Sequence, residues 1–196
     1  MHNPDRILYG RREGFGLSEL GHRMAEAAAD SLAASPVTRV VASPLQRTRE
    51  SAQPWLDRFG LDLETDERLI EPANRFEGIN VRRDLRGRPD LWPFLVNPLR
   101  PTWGEAFRSI RRRMMAAIDD QSAATESGDL VLVSHQLPIW MVARTVAGRS
   151  LPHDPRARRC ALSSITTLRR DGDAWVEHSY ADPAAEVGEA TDLGAV

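Results

Sequence analysis

The chain contains no lysine: all 26 of its basic residues are arginine, the bias of a GC-rich gene. It has one cysteine, Cys160, which excludes an internal disulfide framework and fits a reducing, cytoplasmic setting. It lacks any apolar run near the roughly 18 residues that a membrane span needs, and it shows no secretory signal. The net charge of −2 gives no basic footprint for nucleic acid or an anionic membrane. His22, His153 and His178 are scattered without paired ligand spacing, so neither a metal nor another cofactor is expected. The run Arg111 to Arg113 lies on a helix whose Ile110, Met114 and Ala117 face inward, so it reads as a solvated face. What is there is ordinary for a globular domain: 41% hydrophobic and 28% charged residues over 196 positions. One domain is expected over residues 1–182, followed by a flexible tail over 183–196.

Local patterns predict strands alternating with helices. Residues 1–17 are rich in Gly, Pro and Arg and read as an ordered loop. Ser18 caps a helix over 19–34, with Leu20, Met24, Ala27, Ala28 and Leu32 at helical spacing. "TRVVAS" (38–43) is a β-branched strand, and 43–60 is a helix opened by Ser-Pro, closed by Gly60 and crossed by Pro54. A short strand lies within 61–71. Residues 78–104 form a long irregular stretch in which Trp92, Phe94 and Trp103 either line a pocket or anchor the loop. A helix over 105–124, a strand over 129–134 and a helix over 137–147 come next. Asp171-Gly172-Asp173 then joins two β-rich runs as a hairpin. The pattern implies an α/β layered sheet, mostly parallel, whose functional groups sit at strand carboxyl ends.

Three residues occupy such ends. His135 closes the run "DLVLVS", and alone it reads more readily as a hydrogen-bonded core histidine than as a functional one. Arg47 lies one turn into the helix after a strand, where a guanidinium beside helix N–H groups makes an anion pocket. Glu71 follows another strand and could supply a proton, although a solvated loop carboxylate is the commoner fate of a glutamate.

The segments "VASPLQRTRESA", "LIEPANRFEG", Gly104-Glu105 and "VLVSHQLPI" are together similar to the histidine phosphatase superfamily, also called phosphoglycerate-mutase-like. "LSELGHRMAE" and "CALSSIT" resemble two more of its segments, in the right order, over residues 1 to about 180. The resemblance implies a three-layer α/β fold, a mostly parallel sheet flanked by helices, and metal-independent hydrolysis of a small phosphomonoester through a phosphohistidine. It implies that Arg47 and Asn3 bind the phosphoryl oxygens and that His135 donates to them. Glu71 would protonate the leaving alkoxide, with Glu77 as the fallback. Gln136 stands where the family has glycine; its backbone N–H could still serve, while its side chain would make the pocket narrower or more polar. Ala106 replaces the serine of the family's Gly-Glu-Ser, and Glu105 also reads as a helix-start charge.

The family's Arg-His-Gly motif, whose histidine is the nucleophile, is absent, and His2 has neither a strand nor an Arg or Gly beside it. In relatives with a similar Asn-Pro and Leu-Tyr-Gly-Arg loop, Arg-His-Gly-Glu-Val comes just before, so Met1 falls at the valine. A GTG codon encodes valine internally and methionine at a start. The expectation is therefore a misplaced start that removes the first strand and the nucleophile and leaves this chain inactive. The alternatives are a phosphomutase, or a truncated pseudoenzyme that binds phosphoesters.

Overall fold

The computed structural model describes residue 3 and residues 5–95 and 103–188. Helix α1 (Glu19–Ser31) is capped by Ser18, whose hydroxyl accepts the Gly21 N–H at 3.1 Å. It stops three residues before the expected end, because the Leu32 and Ala33 N–H groups turn back to the Ala29 and Asp30 carbonyls. Strand β1 (Val37–Ala42) leads to helix α2 (Gln46–Phe59), which ends at Gly60 in the left-handed conformation. Strand β2 (Leu63–Thr65) precedes a one-turn helix α3 (Val81–Asp84), and two 3₁₀ turns follow it up to Leu95. Residues 96–102 of the long loop lie outside the described residues. Helix α4 (Phe107–Ala123), strand β3 (Asp129–Val133) and helix α5 (Gln136–Val146) then alternate as the sequence predicts. Strands β4 (Ile165–Asp171) and β5 (Ala174–Ala181) form the antiparallel hairpin, turning at Gly172 with φ +60°.

The parallel sheet runs β2-β1-β3, with Ala42 opposite Thr65 on one side and Val133 on the other. Alternation along β1 divides the core. Val40 and Ala42 face Ala28, Ala29, Ala52, Trp55 and Leu56 of α1 and α2. Val41 faces Ile110, Met114 and Ala117 of α4 and Trp140 and Met141 of α5. The result is a helix–sheet–helix sandwich, the three-layer architecture expected.

The described sheet has an open seam. Strand β3 pairs only with β1, and β4 pairs only with β5. Leu130, Val131, Leu132 and Val133 are only partly buried, whereas Val40, Val41 and Ala42 of β1 are fully so. Ile165 packs on the same core cluster as Val131 and Val133, and Leu168 on that of Leu130 and Leu132. The two unpaired edges thus share both halves of the core. An interior strand of a parallel sheet normally has both edges paired and both faces covered, and four consecutive apolar residues, Leu130 to Val133, are the pattern of such a strand.

A third cluster, Leu8, Phe76 and Leu91, gathers Phe94 and Trp103 around it, while Trp92 stays exposed. Beyond β5, Ala184 is fully buried and the Val187 carbonyl accepts from Arg23 of α1 at 3.4 Å. The first part of the predicted tail therefore lies against α1, and residues 189–196 lie outside the described residues. No described helix is long and apolar enough to cross a membrane.

Candidate active site

The carboxyl ends of β1 and β3 and the segment after β2 converge, because parallel strands in register end at one edge. Ser43 follows β1, His135 caps α5 just beyond β3, and Glu71 comes after the turn at Glu67–Leu69. Arg47 sits one residue into α2 and reaches the same place. All four are buried. Arg47 Nη2 donates to the Gly10 carbonyl at 2.8 Å and to Nδ1 of His135 at 3.2 Å. A guanidinium only donates, so Nδ1 is the acceptor and the ring proton sits on Nε2, which donates to Ser43 Oγ at 2.8 Å. Glu71 Oε2 lies 3.4 Å from Nδ1. Tyr9 places its ring 5.0 Å from the Arg47 guanidinium carbon. Gly10 has φ +43°, and a side chain there would collide with the Glu77 carboxylate, so this loop position requires glycine.

Burial sets the protonation states. It raises the Glu71 carboxyl to about 7, against the opposing pull of Arg47, Arg158, Arg113 and Arg11. It also holds His135 well below its ordinary value, and Arg47, Arg113 and Arg11 act in the same direction. Burial lowers Arg47 too, with Glu71, Tyr9 and Glu77 opposing, but a guanidinium keeps its charge. Near neutral pH the site therefore holds one fixed cation, one neutral imidazole and one carboxyl poised to give or take a proton.

Of the predicted residues, Arg47, Glu71 and His135 come together. Asn3 is buried, but its amide closes its own loop by donating to the Ile7 carbonyl and accepting from the Ile7 N–H. The side chain of Gln136 turns to the Cys160 carbonyl and to Arg158. Glu77 lies at the pocket and accepts the Asn74 N–H. Glu105 does more than start a helix: it binds Ser109 and Arg113, which also donates to the Arg68 carbonyl. Arg111 and Arg112 are exposed as expected for a solvated face, but Arg113 is drawn inward. Ser43, Tyr9, Arg11 and Arg158 were not singled out from the sequence. Ser43 stands at the head of "SPLQR" and Tyr9 and Arg11 lie in the Leu-Tyr-Gly-Arg loop, whereas no local pattern marks Arg158.

A cavity of about 590 Å³ adjoins the site, lined by Arg11, Asn74, Arg75, Glu77, Trp103 and Glu105. Arg11 Nε donates to the Glu71 carbonyl at 2.5 Å, which ties the cavity wall to the carboxyl-bearing segment. A larger hollow of about 920 Å³ lies between α1 and α2 among charged surface residues that include none of this site apart from the neighbourhood of Gln46. Among the described residues, no group of three His, Cys, Asp or Glu side chains could hold a metal ion.

The tautomer gives a direct prediction. Nitrogen-15 NMR should find the His135 ring neutral, with its proton on Nε2, well below pH 6.5 in the ligand-free chain. Adding sulfate should raise its pKa, because a dianion offsets the surrounding guanidinium charges. A ring that titrates at its ordinary value without an anion would contradict the buried, Arg47-bonded state.

The sequence profile of the histidine phosphatase superfamily (branch 1) matches residues 1–183. An uncharacterized protein of Mycobacterium tuberculosis is 46% identical over 191 residues, covering 94% of this chain and 93% of its own length. A probable phosphoglycerate mutase of Yersinia enterocolitica is 27% identical, covering 93% and 88%. Among solved structures, the mycobacterial glucosyl-3-phosphoglycerate phosphatase superposes with a TM-score of 0.70 at 22% identity, over 89% of this chain and 91% of that one. A putative alpha-ribazole-5'-P phosphatase of Escherichia coli gives 0.75 at 19% identity, over 94% and 92%. These two likenesses show the fold. The profile match along nearly the whole chain establishes that this protein belongs to the histidine phosphatase superfamily.

Proposed function

We propose that this is the core of a phosphatase that hydrolyses small phosphomonoesters through a phosphohistidine, without a metal. One observation carries it: a buried arginine, a neutral histidine and a carboxyl raised to about 7 meet at one strand-end edge. Arg47 and His135 would hold the equatorial phosphoryl oxygens, with the Gln136 N–H as a further contact; Asn3, already bonded to Ile7 through both amide atoms, would add only its remaining amide hydrogen. An incoming imidazole nitrogen would bond to phosphorus as the ester oxygen leaves with the Glu71 proton. Water would then attack the phosphohistidine, giving its proton to the Glu71 carboxylate and releasing phosphate.

His135 is the only histidine touching Arg47 and Glu71 in the described site, and its ring is occupied by Arg47 and Ser43. The reading therefore assigns the nucleophile to a strand upstream of Met1, and the unpaired edges of β3 and β4 support that assignment. The 196-residue chain alone would bind oxyanions without turning substrate over. A phosphomutase differs only in the acceptor, and the relative described as a probable phosphoglycerate mutase gives that reading its support.

The test incubates the N-terminally extended protein with a phosphorus-32-labelled alkyl phosphate and follows the label. Release as inorganic phosphate, with an acid-labile, base-stable phosphoprotein on the way, is expected. Label passing mainly to a second hydroxyl compound would make it a mutase. Equal turnover by an Arg47→Ala variant would remove this site from the chemistry.

A further inference from the structure

Another cation, Arg158, bonds the side chain of Gln136, the residue after His135, and it also bonds a neighbouring histidine ring. Arg158 donates from Nε to Nε2 of His153 at 3.0 Å and from Nη1 to Oε1 of Gln136 at 3.2 Å. The Gln136 amide nitrogen donates to the Cys160 carbonyl at 3.1 Å, which fixes the side chain with its oxygen toward Arg158. Gln136 is the residue directly after His135, and Arg158 is among the charges that pull the Glu71 carboxyl down against burial. Arg158 is thus fastened at the rim of the phosphoryl site.

His153 can make this bond in only one state. Its Nδ1 lies 2.8 Å from the Leu151 carbonyl and must donate there, so Nε2 accepts from Arg158 only while the ring is neutral. The ring packs against Phe107 of α4, with centroids 5.4 Å apart, and Trp140 of α5 at 6.2 Å. The charged groups facing it are Arg158, Arg144 in the last turn of α5, and Asp154. Burial lowers its pKa most; the Leu151 carbonyl and Asp154 oppose this, and the two arginines add to it.

We propose that Arg158 is a further cationic contact for the substrate's oxygens and that His153 is a positioning residue holding it there only while unprotonated. Protonation would set N–H against N–H and place two positive charges 3.0 Å apart, so Arg158 would swing from the rim and its bond to Gln136 would break. The site would then weaken on acidification by losing a contact rather than by losing its fold. This inference rests on the phosphoryl site proposed above.

The test measures sulfate binding to the 196-residue chain by calorimetry between about pH 8 and pH 5, where histidines titrate while sulfate stays a dianion. Arg158→Gln should weaken sulfate about ten-fold near neutral pH, the scale of one charge-assisted hydrogen bond. His153→Gln keeps an accepting oxygen but cannot take a proton. It should match the parent at the alkaline end and bind several-fold more tightly at the acid end. The ratio of these two proteins cancels any contribution from His135. A ratio that does not change with pH, or an Arg158→Gln variant of parental affinity, overturns the inference. If Arg47→Ala also leaves sulfate binding unchanged, or if the parent binds none, the phosphoryl site itself fails and takes the inference with it.

Discussion

Extending the chain upstream of Met1 with a strand of about five or six residues and Arg-His-Gly-Glu should switch phosphate release on and raise the melting temperature. The two effects have separate causes. Turnover requires an attacking imidazole, and the one at the site is held by Arg47 and Ser43. Stability requires cover for Leu130, Val131, Leu132, Val133, Ile165 and Leu168, which are apolar yet only partly buried. Each Val, Leu or Ile side chain buried by an inserted strand contributes about 1.5–3 kcal/mol. Three or four of them rival a domain's whole net stability of about 5–15 kcal/mol. For a chain of this size each kcal/mol moves the melting point by about 2–4 °C, so a rise of ~10 °C or more is expected. Calorimetric scans of both chains, beside an aryl phosphate assay, measure both effects. The DNA gives an independent check: the Met1 codon should read GTG, with Arg-His-Gly-Glu in frame before it. Robust turnover by the 196-residue chain, or an extension that neither stabilises nor activates, would refute this account of the nucleophile.

Glu71→Gln in the extended protein should separate substrates by their leaving groups. A proton delivered to a departing alkoxide is worth about 10²–10⁴ in rate, whereas a nitrophenolate leaves without one. The variant should therefore lose at least about a hundred-fold on an alkyl phosphate and far less on nitrophenyl phosphate. Alkyl phosphate turnover by the parent should fall as pH rises through about 7, where the carboxyl gives up its proton. The same shift predicts a gain in stability. The folded carboxyl titrates at about 7 and the unfolded one at 4.5, so between these values only the folded chain holds the proton. Folding stability contributed by this group declines as pH rises across that window and stays low above it. The neutral amide avoids the penalty, roughly 3 kcal/mol on the linkage scale, so the variant should melt higher than the parent above pH 7 and draw level near pH 4. Equal activity losses on both substrates would assign Glu71 to binding; an unchanged melting difference across pH would mean its carboxyl is not raised.

Much of this molecule can be read from short stretches of sequence. Ser18 begins α1, Gly60 ends α2 and Gly172 turns the final hairpin, because capping and left-handed backbone depend on neighbours within a few positions. Ile110, Met114 and Ala117 face inward because helical spacing puts them on one side. His135 at the end of β3 and Arg47 in the first turn of α2 follow from the same rules, and the family likeness joined them to Glu71.

What local rules cannot supply is adjacency. Ser43 holds the His135 ring from 92 residues away, and only the register of β1 against β3 brings them together. Arg113 lies within a run that reads as a solvated face, yet Glu105 and the Arg68 carbonyl draw it inward. Asn3 and Gln136 have side chains fit for phosphate, but nearby carbonyls engage them. The shifts of Glu71 and His135 come from burial, which belongs to the assembled layers and not to any segment. The sequence by itself determined the elements and the kinds of group at their ends, since those depend on a few consecutive residues. The tertiary structure decided which groups touch, which are dry and which carry protons, because dielectric and contact arise only when distant strands lie side by side.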